Sequence, residues 1–415
     1  MVLDPHNGRG LVGVSVHYDV GFRTEPADMN GVAHLCEHLL CDGSDPALTS
    51  AVLEAGGLLN ATTQADYTEY YGVVTADRAD TLLRLEAARM ATRSVDEIVL
   101  REQVAVVKDE IRANIDGKPF GGFPWMWIGE AAYTLPHHRH NGYGAERVES
   151  LTPTDVAEFL TSHYAPDSAV LTVSGSFEPE KMVRTIREIF DGIPESGSSV
   201  NARRSVRERG NSSCPAEEPL PVRNTVLVRR DPHAPYPATA VTWRAPAGPG
   251  LTRELLAAVV LADILVDHPV GRLDRRAAAH DAVKEVGSYL GLFGNPFDGR
   301  APLPFVVEVF HGPELDPPAV VEFARLALTE IAEHGIDQAE VTRTARRIAT
   351  QVWRTQDQIM GRTLMLGSIE LIHGAAAGVS ELPAALAEVT AADVCSVARD
   401  LLAQQTATLT LEVGQ

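Results

Sequence analysis

Apolar residues recur along this chain with a period of two in several short stretches. In Leu11–Tyr18 (LVGVSVHY) every second residue is apolar, and the pattern returns in ATAVTW at 238–243, AVLTV at 169–173 and ATLTLEV at 407–413. That is the period of a strand with one face turned to a core. Between these stretches lie segments that read as helices. One, IVLREQVAVVKDEIRANID, runs without Pro or Gly until Gly117. Ser94-Val95-Asp96-Glu97 ahead of it reads as a capping box with Ser94 as N-cap. Thr152-Pro153-Thr154-Asp155-Val156 opens another helix, which leads into AVLTV.

The pattern repeats. Asp4-Pro5-His6 precedes the first strand and Asp231-Pro232-His233 precedes ATAVTW. Val95 at the start of the uninterrupted helix is matched by Ile336, and Thr152 by Thr390, at offsets of 227, 241 and 238 residues. Near-constant offsets indicate an internal duplication. Strands alternating with helices in both halves predict an α+β fold of two homologous domains, each a mixed β-sheet packed by helices on one face. Residues 196–222 are rich in Ser, Arg, Pro and Glu with no apolar period, which marks an exposed linker. The expected division is therefore a first domain over 1–195 and a second over 223–415.

Composition narrows the class of protein. With 45% apolar residues in 415, both domains can fill a core. A net charge of −20 argues against nucleic acid and anionic membranes and favours basic or neutral peptides. No apolar run reaches 18 residues and the N-terminus carries no signal-peptide pattern, so a soluble, cytoplasmic protein is expected. Four cysteines (36, 41, 214 and 395) without C-x-x-C spacing favour a reducing compartment over a disulfide framework.

The chemistry is concentrated in His34-Leu35-Cys36-Glu37-His38. Helical residues four apart share a face, so His34 and His38 can grip one ion. Glu37, one step round from His38, can reach a water bound there. The order H-x-x-E-H inverts the commoner zinc-peptidase signature and is that of the inverzincins. In the uninterrupted helix, Glu110 shares a face with Val106 and Val107 and so turns towards the core. A buried carboxylate needs a positive partner, which is a basic side chain or, beside H-x-x-E-H, a zinc ion. Cys36 lies about 200° round the helix from His34 and reads as a small core residue, with metal ligation as the alternative.

HLCEHLL, followed 72 residues after His38 by the Glu of KDEIR, resembles the pitrilysin/insulinase peptidases, which include the mitochondrial processing peptidase. GGLLNATTQADYTEYYGVV is similar to that family's Gly-Gly-x-x-Asn-Ala-x-Thr strand, and SLTPTDVAEFLTSHYAPDSAVLTVSGSF to the segment closing its first domain. The resemblance spans most of residues 10–195. It implies Zn²⁺ held by His34, His38 and Glu110, with Glu37 as general base. It also implies that Asn60, Ala61 and Thr62 lie on a strand that pairs with an extended peptide substrate. In the family, two such domains or chains close like a clamshell around the peptide, and the metal-free half supplies an Arg and a Tyr.

The chain departs from the family pattern in three places. A Glu common seven residues before the ligand Glu is replaced by Gln103, still able to hydrogen-bond behind the ligands. The opening MVLDPHNGRGL lacks the family's first strand. In GRLDRRAAAHDAVKEVGSYLG, Arg272 and Leu273 fit the Arg/Tyr pattern, but its second Arg falls on Ala278, and Tyr289 has only Val283 and Ala282 six and seven residues before it. The second half also lacks H-x-x-E-H, with Gln351 at the position matching Glu110. The resemblance therefore points to the zinc-bearing member of a heterodimer whose homologous partner carries Arg/Tyr. Its substrate would be a leader or precursor peptide. The alternative is a non-catalytic structural subunit, for which decay of the motif is expected.

Three further groups carry weaker signals. His137, His138 and His140 in a Pro/Gly-bounded loop read as a solvated or substrate-facing cluster before a second metal site. Phe123-Pro124-Trp125-Met126-Trp127 can line a pocket or partner surface, or pack a core. Of Tyr70 and Tyr71, on opposite strand faces, at most one faces the cleft, and Tyr67 precedes them.

Overall fold

The computed structural model describes residues 1–43, 45–196, 218–246, 250–267 and 271–414. The expected linker over 196–222 falls largely outside these residues, as does Cys214. The strands are β1 (Val2–Pro5), β2 (Leu11–Tyr18), β3 (Leu58–Thr63), β4 (Thr68–Thr75), β5 (Ala169–Gly175), β6 (Thr225–Asp231), β7 (Ala238–Arg244), β8 (Val283–Leu290), β9 (Pro304–His311) and β10 (Ala407–Val413). The principal helices are α1 (Val32–Gly43), α2 (Ala79–Ala91), α3 (Glu97–Ile111), α4 (Trp125–Ala132), α5 (Pro153–His163), α6 (Arg253–Leu265), α7 (Pro317–His334), α8 (Gln338–Gln356), α9 (Ile359–His373) and α10 (Ala391–Leu402).

The strands form two five-stranded sheets in the orders β1-β5-β2-β4-β3 and β6-β10-β7-β9-β8. These are one topology written twice. In each, the first edge strand runs parallel to its neighbour and the other pairings are antiparallel. The duplication reaches the helix caps. Thr152 and Asp155 at the start of α5 exchange hydrogen bonds of 2.8 and 3.3 Å, and Thr390 and Asp393 at the start of α10 exchange bonds of 2.9 and 3.2 Å. Each is a reciprocal box that satisfies amides the helix leaves open.

Two local expectations change. The chain does have a first strand: β1 pairs with β5, Val2 opposite Thr172 through Pro5 opposite Gly175. The N-cap of α3 is Asp96 in place of Ser94, because the Asp96 carboxylate accepts the Ile98 N–H at 2.8 Å and Ser94 lies two residues too early to do so.

The two sheets belong to two compact units, and each unit takes a segment from the other half of the sequence. In its described residues the first comprises 1–109, 142–196 and 354–379, and the second 110–141, 218–353 and 380–414. The contiguous halves expected from the repeat and the linker do not include this exchange, because packing between segments distant in sequence carries no local period.

In the first unit, Val12, Val14, Val16 and Tyr18 of β2 pack towards the buried Leu82, Leu83 and Leu85 of α2, each apolar side chain contributing about 1.5–3 kcal/mol. To the helices expected on that face the structure adds α9 on the other. There Ser15, His17 and Thr172 are fully buried beneath it. A Cβ on Gly13 would stand 2.3 Å from Thr363 Oγ1, and one on Gly367 would stand 2.4 Å from the His17 ring, so glycine permits the close approach at both points. Arg362 of α9 binds both carboxylate oxygens of Asp4 in β1, at 2.5 and 2.8 Å. In the second unit, α4 packs on β6, β7 and β10, with the Thr225 hydroxyl donating to the Ala131 carbonyl at 2.7 Å and Arg229 paired with Glu130. Among the described residues no helix is long and apolar enough to cross a membrane.

Candidate metal centre

Helix α1 is an anchored element with one open side. Leu35, Cys36, Leu39 and Leu40 are buried in the core of the first unit, which leaves His34, Glu37 and His38 on the remaining face. Its start is set by Gly31, at φ 94°, where a Cβ would meet Val148 at 2.6 Å. The Glu25 carboxylate accepts the N–H groups of Gly31 at 2.9 Å and Ala33 at 2.8 Å, capping the helix from outside it. Two tyrosine hydroxyls donate to its carbonyls, Tyr70 to Cys36 and Tyr164 to Ala33, at 3.3 and 3.4 Å. The Cys36 thiol is fully buried and its pKa is raised by that burial, as a core residue requires.

Helix α3 carries Glu110 in its last turn. Its buried stripe is Leu100, Val107 and Ile111, seven and four residues apart, while Val106 is 48% exposed. The expectation that Val106 and Val107 both face inward is therefore half right, since Val106 lies one step off the stripe. The boundary between the compact units falls within this continuous helix, between Asp109 and Glu110.

His34, His38 and Glu110 converge. Each offers one ligand atom, and the three atoms lie within 4.8 Å of one another. The histidine rings are 4.9 Å apart at 75°, and Tyr143 lies 5.1 Å from His34. His34 is 6% exposed, and burial, with His38 beside it, lowers its pKa to about 4. At neutral pH it is an uncharged imidazole, the form that binds a metal. Glu37 is half-buried, and its Oε2 accepts the Thr63 hydroxyl at 2.7 Å. No other group of three potential ligands occurs among the described residues.

The remaining candidates separate. Asn60, Ala61 and Thr62 lie on β3, the edge strand of its sheet: Asn60 is exposed, Ala61 buried and Thr62 half-buried. The Asn60 amide donates to the Tyr71 hydroxyl at 3.1 Å. Gln103 is half-buried, two turns before Glu110 on α3. Tyr67 and Tyr70 are buried and Tyr71 half-buried.

The histidine cluster is not solvated as a group. His138 is buried with Nδ1 2.8 Å from Glu218, whose carboxylate also accepts the Thr134 and Leu135 N–H groups at 2.6 and 3.1 Å. The reason is Glu218, 80 residues on in sequence, which no local pattern connects with the loop. The aromatic run packs within the second unit, Phe123 against Phe310 at 5.8 Å and Trp125 against Phe293 at 5.2 Å. Arg272 is 7% exposed and bound to Glu340 through both terminal nitrogens, and Tyr289 donates to Glu308 at 3.3 Å. Cys36 and Cys395 are free thiols.

Sequence reading missed Glu25, Tyr143, Tyr164 and the bond from Thr63 to Glu37. Only Glu25 left a local signal, an acidic residue shortly before a helix start.

Residues 2–118 match the family model for insulinase (peptidase family M16), and residues 150–348 the model for the peptidase M16 inactive domain. An uncharacterized zinc protease of Streptomyces coelicolor is 26% identical over 93% of this chain and 81% of its own length. Zinc protease PqqE of Helicobacter pylori is 26% identical over 45% of this chain and 43% of its own length. The mitochondrial-processing peptidase subunit beta of Saccharomyces cerevisiae is also 26% identical, over 47% of this chain and 43% of its own length. The latter two matches thus span less than half of those relatives. In fold, the chain is similar to a protease from Helicobacter pylori, with a TM-score of 0.84 at 19% identity, covering 99% of this chain and 96% of that one.

Proposed function

This chain belongs to the insulinase (M16) family of peptidases, and we propose on that footing that it is a zinc-dependent peptidase acting on extended peptides. The observation that carries the reading is the convergence of His34, His38 and Glu110, with Glu37 on the same helix as both histidines. The donor set suits zinc: two imidazoles, one held neutral, and one carboxylate.

When bound, zinc supplies Lewis-acid polarisation of the scissile carbonyl and makes a water acidic enough to lose a proton near neutral pH. Glu37 would accept a proton from the attacking water and pass it to the leaving amine. The open edge of β3, over Asn60–Thr63, offers backbone hydrogen-bonding groups to an extended peptide, a mode that excludes folded substrates. The reading includes a homologous partner chain that supplies an Arg/Tyr pair. Supporting it, Arg272 is committed to Glu340 and the Tyr289 hydroxyl to Glu308. A leader or precursor peptide as substrate fits the acidic chain, and the low cysteine content supports a cytoplasmic location.

The test is cleavage of an unstructured peptide by the wild type and by Glu37→Gln, each loaded with zinc. A general base contributes about 10²–10⁴ in rate, so the variant should bind zinc and lose at least about a hundredfold in kcat. Full activity in Glu37→Gln would remove Glu37 from the reaction.

A further inference from the structure

The proposed general base is held by the strand that receives the substrate. Side chains along β3 alternate: Asn60 is exposed and bonds to Tyr71, whereas Ala61 is buried and Thr63 reaches α1. There the Thr63 hydroxyl donates to Oε2 of Glu37 at 2.7 Å, in a part-buried setting. This bond bridges 26 residues of sequence to join the sheet edge to the motif helix. The backbone of Thr63 is fixed in turn by its pairing with Thr68 of β4.

We infer that Thr63 is a positioning residue for Glu37, one that sets the orientation of the proton-accepting carboxylate from the substrate-binding edge. The inference rests on the peptidase reading above. The hydroxyl stops the carboxylate from rotating about its last bond, so its oxygens keep fixed directions. Because the same strand offers its open edge to the peptide, any shift of β3 on substrate pairing is passed through Thr63 to Glu37. A peptide that pairs in register and one that distorts the strand would differ in kcat more than in KM. That selects on strand geometry, not side-chain identity.

The test uses the full chain, purified with whatever chain accompanies it, loaded with zinc and assayed on a quenched-fluorescence peptide. Thr63→Val removes the hydroxyl at nearly constant shape, and Thr63→Ser keeps it. The expected result for Thr63→Val is a fall in kcat of about tenfold or more, since small misplacement of reacting groups costs up to about a hundredfold. KM and zinc content should be unchanged, and Thr63→Ser should restore most of the rate. A second readout needs no activity. Thr63→Val should lower the melting temperature in the wild type and not in a Glu37→Ala background, the non-additivity that marks a direct contact.

A kcat within twofold of wild type, a loss confined to KM, or failure of Ser to rescue would overturn the assignment. An active enzyme without non-additivity overturns the role of Thr63 alone. A zinc-loaded wild type that cleaves no peptide, with the coupling intact, overturns the peptidase reading and this role with it.

Discussion

The buried side chain of Glu25 accepts the N–H of Ala33, one residue before the first motif histidine, at 2.8 Å. Burial raises its pKa from 4.5 to about 8, against the lowering effect of the Gly31 and Ala33 amides. Between those values the unfolded chain releases a proton that the folded chain keeps. The group's contribution to stability is therefore complete below about pH 4.5 and is lost as pH rises towards 8. In urea denaturation of the metal-free chain, the wild type should lose stability relative to Glu25→Gln between about pH 5 and 8. A constant difference across that range would contradict the assignment.

Gln103 lies seven residues before Glu110 on the same face of α3. If its amide orients the ligand carboxylate, Gln103→Ala should weaken zinc binding about 10–100-fold without unfolding the chain. Competition with a chromophoric chelator measures this. Unchanged affinity would make Gln103 a bystander.

The sequence made the motif and the duplication legible because both rest on local spacing. His34, Glu37 and His38 sit on one helical turn, and the capping boxes at Thr152 and Thr390 are four-residue patterns. Glu110 was legible through its stripe on α3, although Val106 was misplaced by one step. The exchange of α4 and α9 left no local trace. Ser15 and His17 have the polar alternation of a solvent-facing strand, and only a helix about 350 residues later buries them. Glu218 beneath His138, and Glu340 on Arg272, were invisible for the same reason: ion pairs between distant segments carry no sequence period.

That exchange has a sharp consequence at Gly367. An added Cβ would meet the His17 ring, which is fully buried and 2.8 Å from Glu69, so it has little room to move. Gly367→Ala should cost about 1–3 kcal/mol in urea denaturation. Residues 1–196 expressed alone lack α9 and should be insoluble or unfolded by circular dichroism, with co-expression of 218–415 restoring them. A stable, folded 1–196 fragment would show that α9 is dispensable.

The commitment of Arg272 to Glu340 bears on the partner. Native mass spectrometry of the chain purified from its own host should show a stoichiometric homologue lacking H-x-x-E-H. A homodimer or monomer that cleaves peptide unaided would show that this chain supplies its own substrate-holding groups.

Metal analysis tests the central claim most directly. The chain, purified without chelator or added metal, should contain about one equivalent of zinc by mass spectrometry, and His38→Ala and Glu110→Ala should each lose it while keeping the fold. Zinc retained in full by both variants, or absent from a folded wild type that also fails to take it up, would contradict the site.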